Sequence, residues 1–571
     1  MRLLISRFDL ILAVFLLLAA KFVPAVFQGS WVRDRINSSL VGFDAFSVIS
    51  TSVFTLLFLL KLQDIRGGFR DFALLLLQKK PSALFKKLIF KFIRHLPSVK
   101  QKIESGTAEA AKKIQHELKK DSKSEWSNTT LPEEGFDQDL LLAQLDKWSE
   151  IEHRKWDSGK VSGAIYHGQD DLTSFACSVY SRFALSNPLH PDLFPFVRKM
   201  EAEIIAMTLK LFHANPEGGC GTISSGGTES ILLACKAYRD HAMEKGITRP
   251  EIIAPISIHA AFEKAAQYFG IKLIHSPLEP NTMRASVSAI RSLITSNTIL
   301  IAASAPCFPY GIIDPIEDIA KIARCYGIGL HVDCCLGSYL IPFLEKIGKP
   351  VPPFDFSVPG VTSISCDLHK YGFAPKGISC IMYNRTELRR CQYFSSVNWT
   401  GGIYASPTLA GSRPGALSAA AWATMMALGQ QGYITCARDI MDATTVIIDG
   451  VQQIQELMVL GDPKVSVVAF AAKDPKSLNI YNVNEAMAKK GWSLNCLQNP
   501  PAVHICVTNM HRGVMAQKFV NDLSSSVKQV ISNPTDFSDG AAAIYGMAAT
   551  LPDVSIIDEI ARTFIDGLFM S

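Results

Sequence analysis

From about residue 200 onward, short runs of apolar and β-branched residues alternate with segments whose apolar residues recur at helical spacing. Strands are predicted over residues 252–257, 298–303, 328–332, 362–366 and 379–383. A helix is predicted over residues 260–269, and a second after Asp314, which is expected to cap it, with Pro315 at its first position and Glu317 completing a capping box. This alternation predicts an α/β fold with a parallel-rich central sheet between helices, in which active sites gather at the carboxyl ends of strands.

Two apolar runs precede this body, at residues 10–20 and 45–60. The first is too short to span a bilayer alone. The second is uncharged and, extended back to Val41 with Asp44 at the interface, has the roughly 20 residues of a spanning helix. The second run therefore predicts an N-terminal transmembrane helix, with a buried core helix as the alternative. The first run leaves open a second span or a cleaved signal.

Basic residues follow the second run in excess, which predicts that the body faces the cytosol. They are Lys61, Arg66, Arg70, Lys79, Lys80, Lys86, Lys87, Lys91 and Arg94, against Asp64 and Asp71. The glycosylation sequon at Asn37 is consistent with a lumenal stub on the other side. Residues 84–96 are predicted to form a basic amphipathic helix, which either lies on an anionic membrane surface or packs on the body.

The net charge and the cysteine content exclude two classes of protein, nucleic-acid-binding proteins and disulfide-stapled proteins. The formal net charge of +5 is too small to indicate a nucleic-acid partner. The 13 cysteines have no regular spacing, so they do not predict a disulfide framework, and a reducing compartment is expected.

A loop of small residues, Ser225-Gly226-Gly227-Thr228, runs into a helical segment. The free N–H groups and the dipole of a helix N-terminus favour a phosphate at such a loop. The loop lacks the lysine of the nucleoside-triphosphate motif and the glycine spacing of the dinucleotide motif. A phosphate site is therefore predicted at Gly226, Gly227 and Thr228.

Three further candidate residues, His259, Asp333 and Lys370, each follow a predicted strand. His259 is either a surface histidine or a ring-stacking group, and Asp333 is either a helix cap or the partner of a pyridine nitrogen. Lys370 follows a buried strand beside His369, with Lys376 as its rival. A desolvated lysine near positive groups has a lowered pKa and acts as a nucleophile. The order of these groups along the chain predicts a pyridoxal-phosphate site with Lys370 as the Schiff-base lysine.

The run Ser363-Ile364, five residues and then Lys370 resembles the lysine signature of the group II pyridoxal-phosphate-dependent decarboxylases. Longer stretches resemble the sphingosine-1-phosphate lyases within that group. They are residues 162–166, 187–192, 225–239, 259–262, 331–346, 367–377, 399–415 and 543–547. The resemblance extends from about residue 140 to the C-terminus.

This resemblance implies a type I, aspartate-aminotransferase-like fold, a homodimer, and an anchor in the endoplasmic reticulum membrane with a cytosolic catalytic domain. It implies retro-aldol cleavage of the C2–C3 bond of a phosphorylated sphingoid base, which yields a long-chain aldehyde and phosphoethanolamine. The expected divisions are 1–62 (lumenal stub and membrane anchor), 63–190 (basic juxtamembrane helices, linker and N-terminal segment of the body), 191–430 (large cofactor-binding domain) and 431–571 (C-terminal small domain).

Residue roles follow from the same resemblance. The expected catalytic residues are Lys370, Asp333 as pyridinium partner, His259 stacked on the ring, and Tyr166 as a candidate in proton transfer. The cofactor phosphate is expected to contact Gly226, Gly227, Thr228 and His369, with Gly411 and Ser412 from the neighbouring subunit. The substrate phosphate is expected among Tyr166, Asn187, His190 and Lys376. No metal is predicted, and the group that takes the C3 hydroxyl proton stays open.

Two alternatives remain at this point. An amino-acid decarboxylase would use the same lysine, aspartate and phosphate loop, but would need neither the anchor nor a second anion site. A membrane-anchored scaffold that has lost activity would not be expected to keep Lys370, Asp333 and His259 together.

Overall fold

The computed structural model describes residues 105, 112, 128–537 and 555–569. The two apolar runs, the sequon, the basic amphipathic helix and the 543–547 motif lie outside the described residues. Within the described part, no helix combines the length and apolar character that crossing a membrane requires. The chain divides into two units, residues 1–129 with 551–571, and residues 130–550. The site lies in the second unit; the described part of the first includes the helix Ser555–Gly567.

A seven-stranded sheet forms the centre of the second unit. Its order is β1-β7-β6-β5-β4-β2-β3; β7 is antiparallel to both neighbours and the remaining pairs are parallel. The predicted α/β fold with a parallel-rich sheet is confirmed. The strands are β1 Cys220–Ser224, β2 Glu251–Pro255, β3 Lys272–Ser276, β4 Thr298–Ser304, β5 Gly329–Asp333, β6 Ser363–Cys366 and β7 Ser379–Tyr383.

Helices cover the sheet because their apolar faces match its apolar strands. Leu232, Cys235 and Phe262 belong to a buried cluster that joins two of these helices, α4 and α5, to the sheet. The predicted helix over 260–269 is confirmed, and Gly270 ends it in the left-handed conformation (φ 65°). The helices are α1 Gln138–Trp156, α2 Asp170–Arg182, α3 Pro195–Leu211, α4 Gly227–Glu244, α5 Ala261–Phe269, α6 Val287–Leu293, α7 Ile316–Tyr326, α8 Thr386–Gln392, α9 Gly415–Gln453, α10 Ile480–Lys489 and α11 Val514–Ser532.

The predicted capping box at the start of α7 is wrong. The helix begins at Ile316, and no side chain caps its N-terminus. The carboxylate of Asp314 instead accepts hydrogen bonds from the backbone N–H groups of Ala285 (2.9 Å) and Ser304 (2.8 Å). A buried carboxylate is stabilised by such N–H donors, so Asp314 joins the end of β4 to the loop before α6 instead of capping a helix.

A smaller antiparallel sheet lies beyond α9, which is kinked at Gly429 (φ 56°). Its order is β10-β11-β13-β12, with α10 and α11 packed against each other beside it. The predicted division at residue 430 lies next to this kink and stays a prediction, since residues 130–550 form one compact unit. The strands are β10 Leu457–Val459, β11 Val467–Ala472, β12 Asn495–Leu497 and β13 Ala502–Cys506; Phe394–Ser396 (β8) and Tyr404–Ser406 (β9) form a separate pair.

The segment before α2 is attached to the small sheet. Val161 pairs with Ser493, and the N–H of Gly163 donates to the carbonyl of Cys506 at 3.0 Å. The N–H of Cys506 in turn donates to Ser162 Oγ at 2.9 Å. These bonds position Tyr166 next to the loop that follows β6, where Tyr166 packs edge-on against Tyr371.

Candidate active site

A cavity of about 360 Å³ opens where β1, β5 and β6 end. These strands run in the same direction, so the residues that follow them lie at one edge of the sheet. Seven predicted cofactor residues line this cavity together: Gly226, Gly227, Thr228, His259, Asp333, His369 and Lys370.

The phosphate cradle is the turn between β1 and α4. Glu229 holds this turn, because its carboxylate accepts from the N–H of Ser225 at 2.6 Å and from the N–H of Leu409 at 3.0 Å. A Cβ at Gly227 would lie 2.7 Å from Cys335 Sγ and 2.8 Å from the carboxylate oxygens of Asp367. Only glycine allows this approach, and the first N–H groups of α4 are left to bind an anion.

Asp333, at the end of β5, is held in a fixed orientation. Its Oδ1 accepts from the N–H of Cys335 (3.1 Å) and the hydroxyl of Ser365 (3.3 Å). His331 Nε2 lies 3.2 Å from the same hydroxyl, and burial lowers the pKa of His331 to about 4, against the opposing effect of Asp333. The uncharged imidazole therefore supports Ser365, which supports the carboxylate.

Lys370 does not have the environment that the sequence suggested. Burial acts to lower the pKa of its amine, but Asp367 outweighs burial and raises it, with smaller contributions from Cys335 and Tyr166. The ion pair measures 2.9 Å between Lys370 Nζ and Asp367 Oδ2. The expected lowered pKa is therefore wrong for the amine in this state, because the prediction counted neighbouring cations and overlooked a buried anion three residues earlier.

Lys376 instead has the lowered pKa. Burial and the nearby charge of Lys370 lower the pKa of Lys376 to about 8. Its Nζ lies 4.7 Å from the centre of the Tyr166 ring and donates to the carbonyl of His369 at 3.4 Å. Lys376 and Tyr166 line a second cavity of about 200 Å³, and His369 lines both cavities.

The Tyr166 hydroxyl is a proton donor at neutral pH. Burial raises the pKa of Tyr166 well above its ordinary value, and the neighbouring Cys506 adds to the effect. Its ring lies under Lys376, while Lys370 and Asp367 are close enough to influence its charge. Tyr166 therefore lines the second cavity within electrostatic reach of the Lys370–Asp367 pair.

Four predicted residues line neither cavity: Asn187, His190, Gly411 and Ser412. Asn187 Nδ2 donates to Ser412 Oγ at 3.0 Å, and its Oδ1 accepts from the N–H of Arg413 at 3.2 Å. His190, three residues after Asn187, is exposed to solvent. Gly411 and Ser412 were expected to act from a neighbouring subunit, so their role stays a prediction, as do the roles of Asn187 and His190.

Sequence reasoning gave no role to Asp367, Cys335 or Glu229, all of which line the first cavity. Asp367 precedes Lys370 by three residues in a turn, a spacing that was available as a signal for an ion pair. Cys335 and Glu229 had no comparable signal, because tertiary contacts bring them to the site.

The donor set fits pyridoxal phosphate. The cofactor has a phosphate, a pyridine nitrogen and an aldehyde, and the cavity offers an N-terminal helical turn, a fixed carboxylate and a lysine. The orphaned oxygen Asp367 Oδ1, which has no hydrogen-bond partner among the residues that the structure describes, also marks this cavity as one that receives a polar ligand.

Comparisons with known proteins agree with this fit. A family model described as the pyridoxal-dependent decarboxylase conserved domain matches residues 120–473. Sphingosine-1-phosphate lyase 1 of Mus musculus is 45% identical over 487 residues, covering 85% of each chain. The solved sphingosine-1-phosphate lyase of Burkholderia pseudomallei is similar at a TM-score of 0.70 and 40% identity, covering 74% of this chain and 97% of its own.

A more distant likeness concerns the fold alone. The solved glutamate decarboxylase of Lactobacillus brevis is similar at a TM-score of 0.62 with 17% identity, covering 72% of this chain and 96% of its own. The type I architecture is thus shared between a lyase and an amino-acid decarboxylase, and the groups around the cavity must separate the two activities.

Proposed function

The chain belongs to the sphingosine-1-phosphate lyase family of pyridoxal-dependent enzymes, and we propose that it cleaves the C2–C3 bond of phosphorylated sphingoid bases. The products are a long-chain aldehyde and phosphoethanolamine. The observation that carries this function is the second cavity, where Lys376 offers a cation beside the cavity of Lys370. A phosphorylated substrate needs this second anion site, whereas a decarboxylase of aromatic amino acids does not.

When bound, pyridoxal phosphate supplies an aldehyde that condenses with amines and a ring that accepts the electron pair of the breaking bond. The first turn of α4 would hold the phosphate, and Asp333 would keep a proton at the ring nitrogen. His259 lines the same cavity and would stack on the ring; its Nδ1 accepts from the N–H of Ala261 at 3.1 Å, which orients the imidazole. Lys370 presents its amine from the end of β6.

Lys376 and Tyr166 act on the substrate. The Lys376 ammonium binds the substrate phosphate, and binding energy from this remote group orients C2 and C3 at the reacting centre. Tyr166 keeps its proton at neutral pH, so it donates a hydrogen bond or a proton and is not the base for the C3 hydroxyl.

Residues 41–60 are proposed to anchor this body in the endoplasmic reticulum membrane, with the catalytic domain in the cytosol. The uncharged run and the basic residues after it support this placement. An anchor of this kind gives a cytosolic site access to a membrane-resident lipid. In cells, Asn37→Gln is expected to remove a glycan from the protein; a protein that never carries one would contradict the lumenal placement of the N-terminus.

A second copy of the chain is proposed to complete the site. The β8–β9 pair and its flanks expose a group of large apolar side chains, which a homodimer interface would cover: Phe394, Val397, Trp399, Ile403 and Leu409. Mixing Lys370→Ala chains with Ser412→Trp chains is expected to restore activity, because one mixed site keeps both native residues. Failure of every such mixture, with mixed dimers formed, would place Ser412 at the site of its own chain.

The function is tested by incubating the protein with a phosphorylated sphingoid base and, separately, with glutamate or aromatic amino acids. Release of long-chain aldehyde is expected for the wild type and not for Lys370→Ala. Lys321→Ala, on the exposed face of α7 and outside the lining of both cavities, serves as the matched control and is expected to remain active. Carbon dioxide from an amino acid, without aldehyde from the lipid, would establish the decarboxylase instead.

A further inference from the structure

Asp367 has no assigned part in the reaction, yet its carboxylate is the nearest anion to the reactive amine. Its Oδ2 lies 2.9 Å from Lys370 Nζ and 3.6 Å from His369 Nε2, and only 2% of the side chain is exposed. Its Oδ1 is buried without a hydrogen-bond partner among the described residues. A buried carboxylate whose charge is balanced mainly by one cation is costly, and such a group suggests a function.

The ion pair and the cofactor require opposite protonation states of Lys370 Nζ. Condensation with an aldehyde needs the lone pair of a neutral amine, whereas the ion pair needs an ammonium. Burial alone would favour the neutral amine, and Asp367 reverses that preference. The carboxylate therefore opposes loading of the cofactor for as long as the pair is intact.

We propose that Asp367 is the counter-ion that keeps Lys370 protonated whenever its amine is not bonded to the cofactor, so that cofactor loading waits for a proton to leave the amine. The Lys370 ammonium gives one proton to Asp367, and the freed lone pair forms a C–N bond to the aldehyde carbon. The aldehyde oxygen leaves as water, and Asp367 returns its proton to the nitrogen. An ammonium and an aldehyde thus become a protonated C=N group and one water.

Other charged and titratable groups also face the Lys370–Asp367 pair. The carboxylates among them have hydrogen-bond partners of their own. Asp333 is bonded to Cys335 and Ser365, and Glu229 to the backbone of Ser225 and Leu409. His369 accepts at Nδ1 from the N–H of Ile378, which leaves its Nε2 toward Asp367. The remaining neighbours are His259, Cys335, Tyr166, Lys376 and Cys506, of which the thiols and the phenol are neutral at pH 7 because burial raises the pKa of each.

The inference rests on Lys370 as the cofactor-bonding lysine of the proposed function, so the first measurement avoids both cofactor and substrate. In the full chain freed of cofactor, the pH dependence of competitive amine labelling, read by mass spectrometry, gives the apparent pKa of Lys370 and Lys376 in one sample. Labelling of Lys370 is expected to require a higher pH than labelling of Lys376. The reverse order would overturn the proposal without bearing on the lyase activity.

The second measurement follows the rate of pyridoxal-phosphate binding by absorbance as a function of pH. In Asp367→Asn the rate profile is expected to move toward lower pH by a unit or more, so that loading at pH 7 is about tenfold faster or more, since one pKa unit is a tenfold change in the neutral fraction. Asp367→Glu keeps the charge and is expected to keep the wild-type profile.

Asp318→Asn is the matched control, since Asp318 pairs with Lys321 at the same three-residue spacing (2.8 Å) on the exposed face of α7. An Asp367→Asn profile that coincides with the wild-type and Asp318→Asn profiles would overturn the proposal. If Asp367→Asn does not fold, the labelling order of the wild-type chain decides alone. Absence of cofactor bonding at Lys370 in the wild type would instead refute the proposed function.

Discussion

Two lysines six residues apart have opposite electrostatic environments. Lys370 lies in the first cavity against Asp367, which raises the pKa of its amine despite burial. Lys376 lies in the second cavity against an aromatic ring, where burial and the charge of Lys370 lower its pKa to about 8. A local sequence of two lysines does not distinguish them. The difference shows that one buried anion is enough to give two lysines of a single loop opposite shifts in pKa.

The largest expected effect comes from removing each amine in turn. Lys370→Ala is expected to lose the visible absorbance of the lysine-bound cofactor and to lower kcat/KM on the order of 10⁴-fold or more, as for a deleted nucleophile. Lys376→Ala is expected to retain that absorbance. If Lys376→Ala loses the absorbance and Lys370→Ala keeps it, the assignment of the two lysines is reversed.

The hydroxyl of Tyr166 should affect turnover more than binding. Tyr166→Phe keeps the ring under Lys376 and removes only the proton donor, so kcat is expected to fall about 100-fold with little change in KM. Steady-state kinetics with the phosphorylated base measures both constants. A rise in KM at unchanged kcat would make Tyr166 a residue that binds substrate without transferring a proton.

The charge of Lys376 should affect binding more than turnover. Lys376→Met removes a charge-assisted hydrogen bond to the substrate phosphate, so KM is expected to rise about 10- to 100-fold, with a smaller change in kcat. Competition by inorganic phosphate should weaken in parallel. Lys376→Arg keeps the charge and serves as the control; equal losses in both variants would mean that shape, not charge, matters at this position.

The smallest effect is a pH dependence of substrate affinity. The pKa of Lys376 is lowered to about 8, so its ammonium is present below pH 8 and is lost as the pH rises through that value. KM is expected to rise above pH 8, approaching about tenfold per pH unit at most. Lys376→Arg should remove this rise, because arginine stays charged. A wild-type KM that is flat to pH 9 would contradict the lowered pKa.

Much of the fold was predictable because most of the buried strands are short runs rich in apolar and β-branched residues. β7 matches its predicted range, and the other predicted strands differ from the observed ones by one or two residues at their ends. Antiparallel pairing of β7 was not predictable, since hydrophobic pattern does not encode strand direction. Asp314 was misassigned because its position before Pro315 is typical of a cap, whereas its partners Ala285 and Ser304 come from other segments.

The candidate site, like the fold, was predictable from the sequence only in part. Gly227, His259, Asp333 and Lys370 could be selected from the sequence because each follows a strand, and strand ends in a parallel sheet meet at one edge. The charge state of Lys370 could not, because it depends on burial and on which carboxylate lies 2.9 Å away. Asn187 and Ser412 were placed at two phosphates by resemblance; within one chain they bond to each other, and both roles stay predictions.

The amino-acid sequence by itself determined the α/β class, the order of the functional groups and the family. All three depend on local periodicity and on contiguous motifs. The tertiary structure alone decided which lysine is paired with an anion, which carboxylate supports the backbone, and that His369 borders both cavities. The physical reason is that pKa values depend on desolvation and on distances between atoms, and folding sets both by bringing distant residues together.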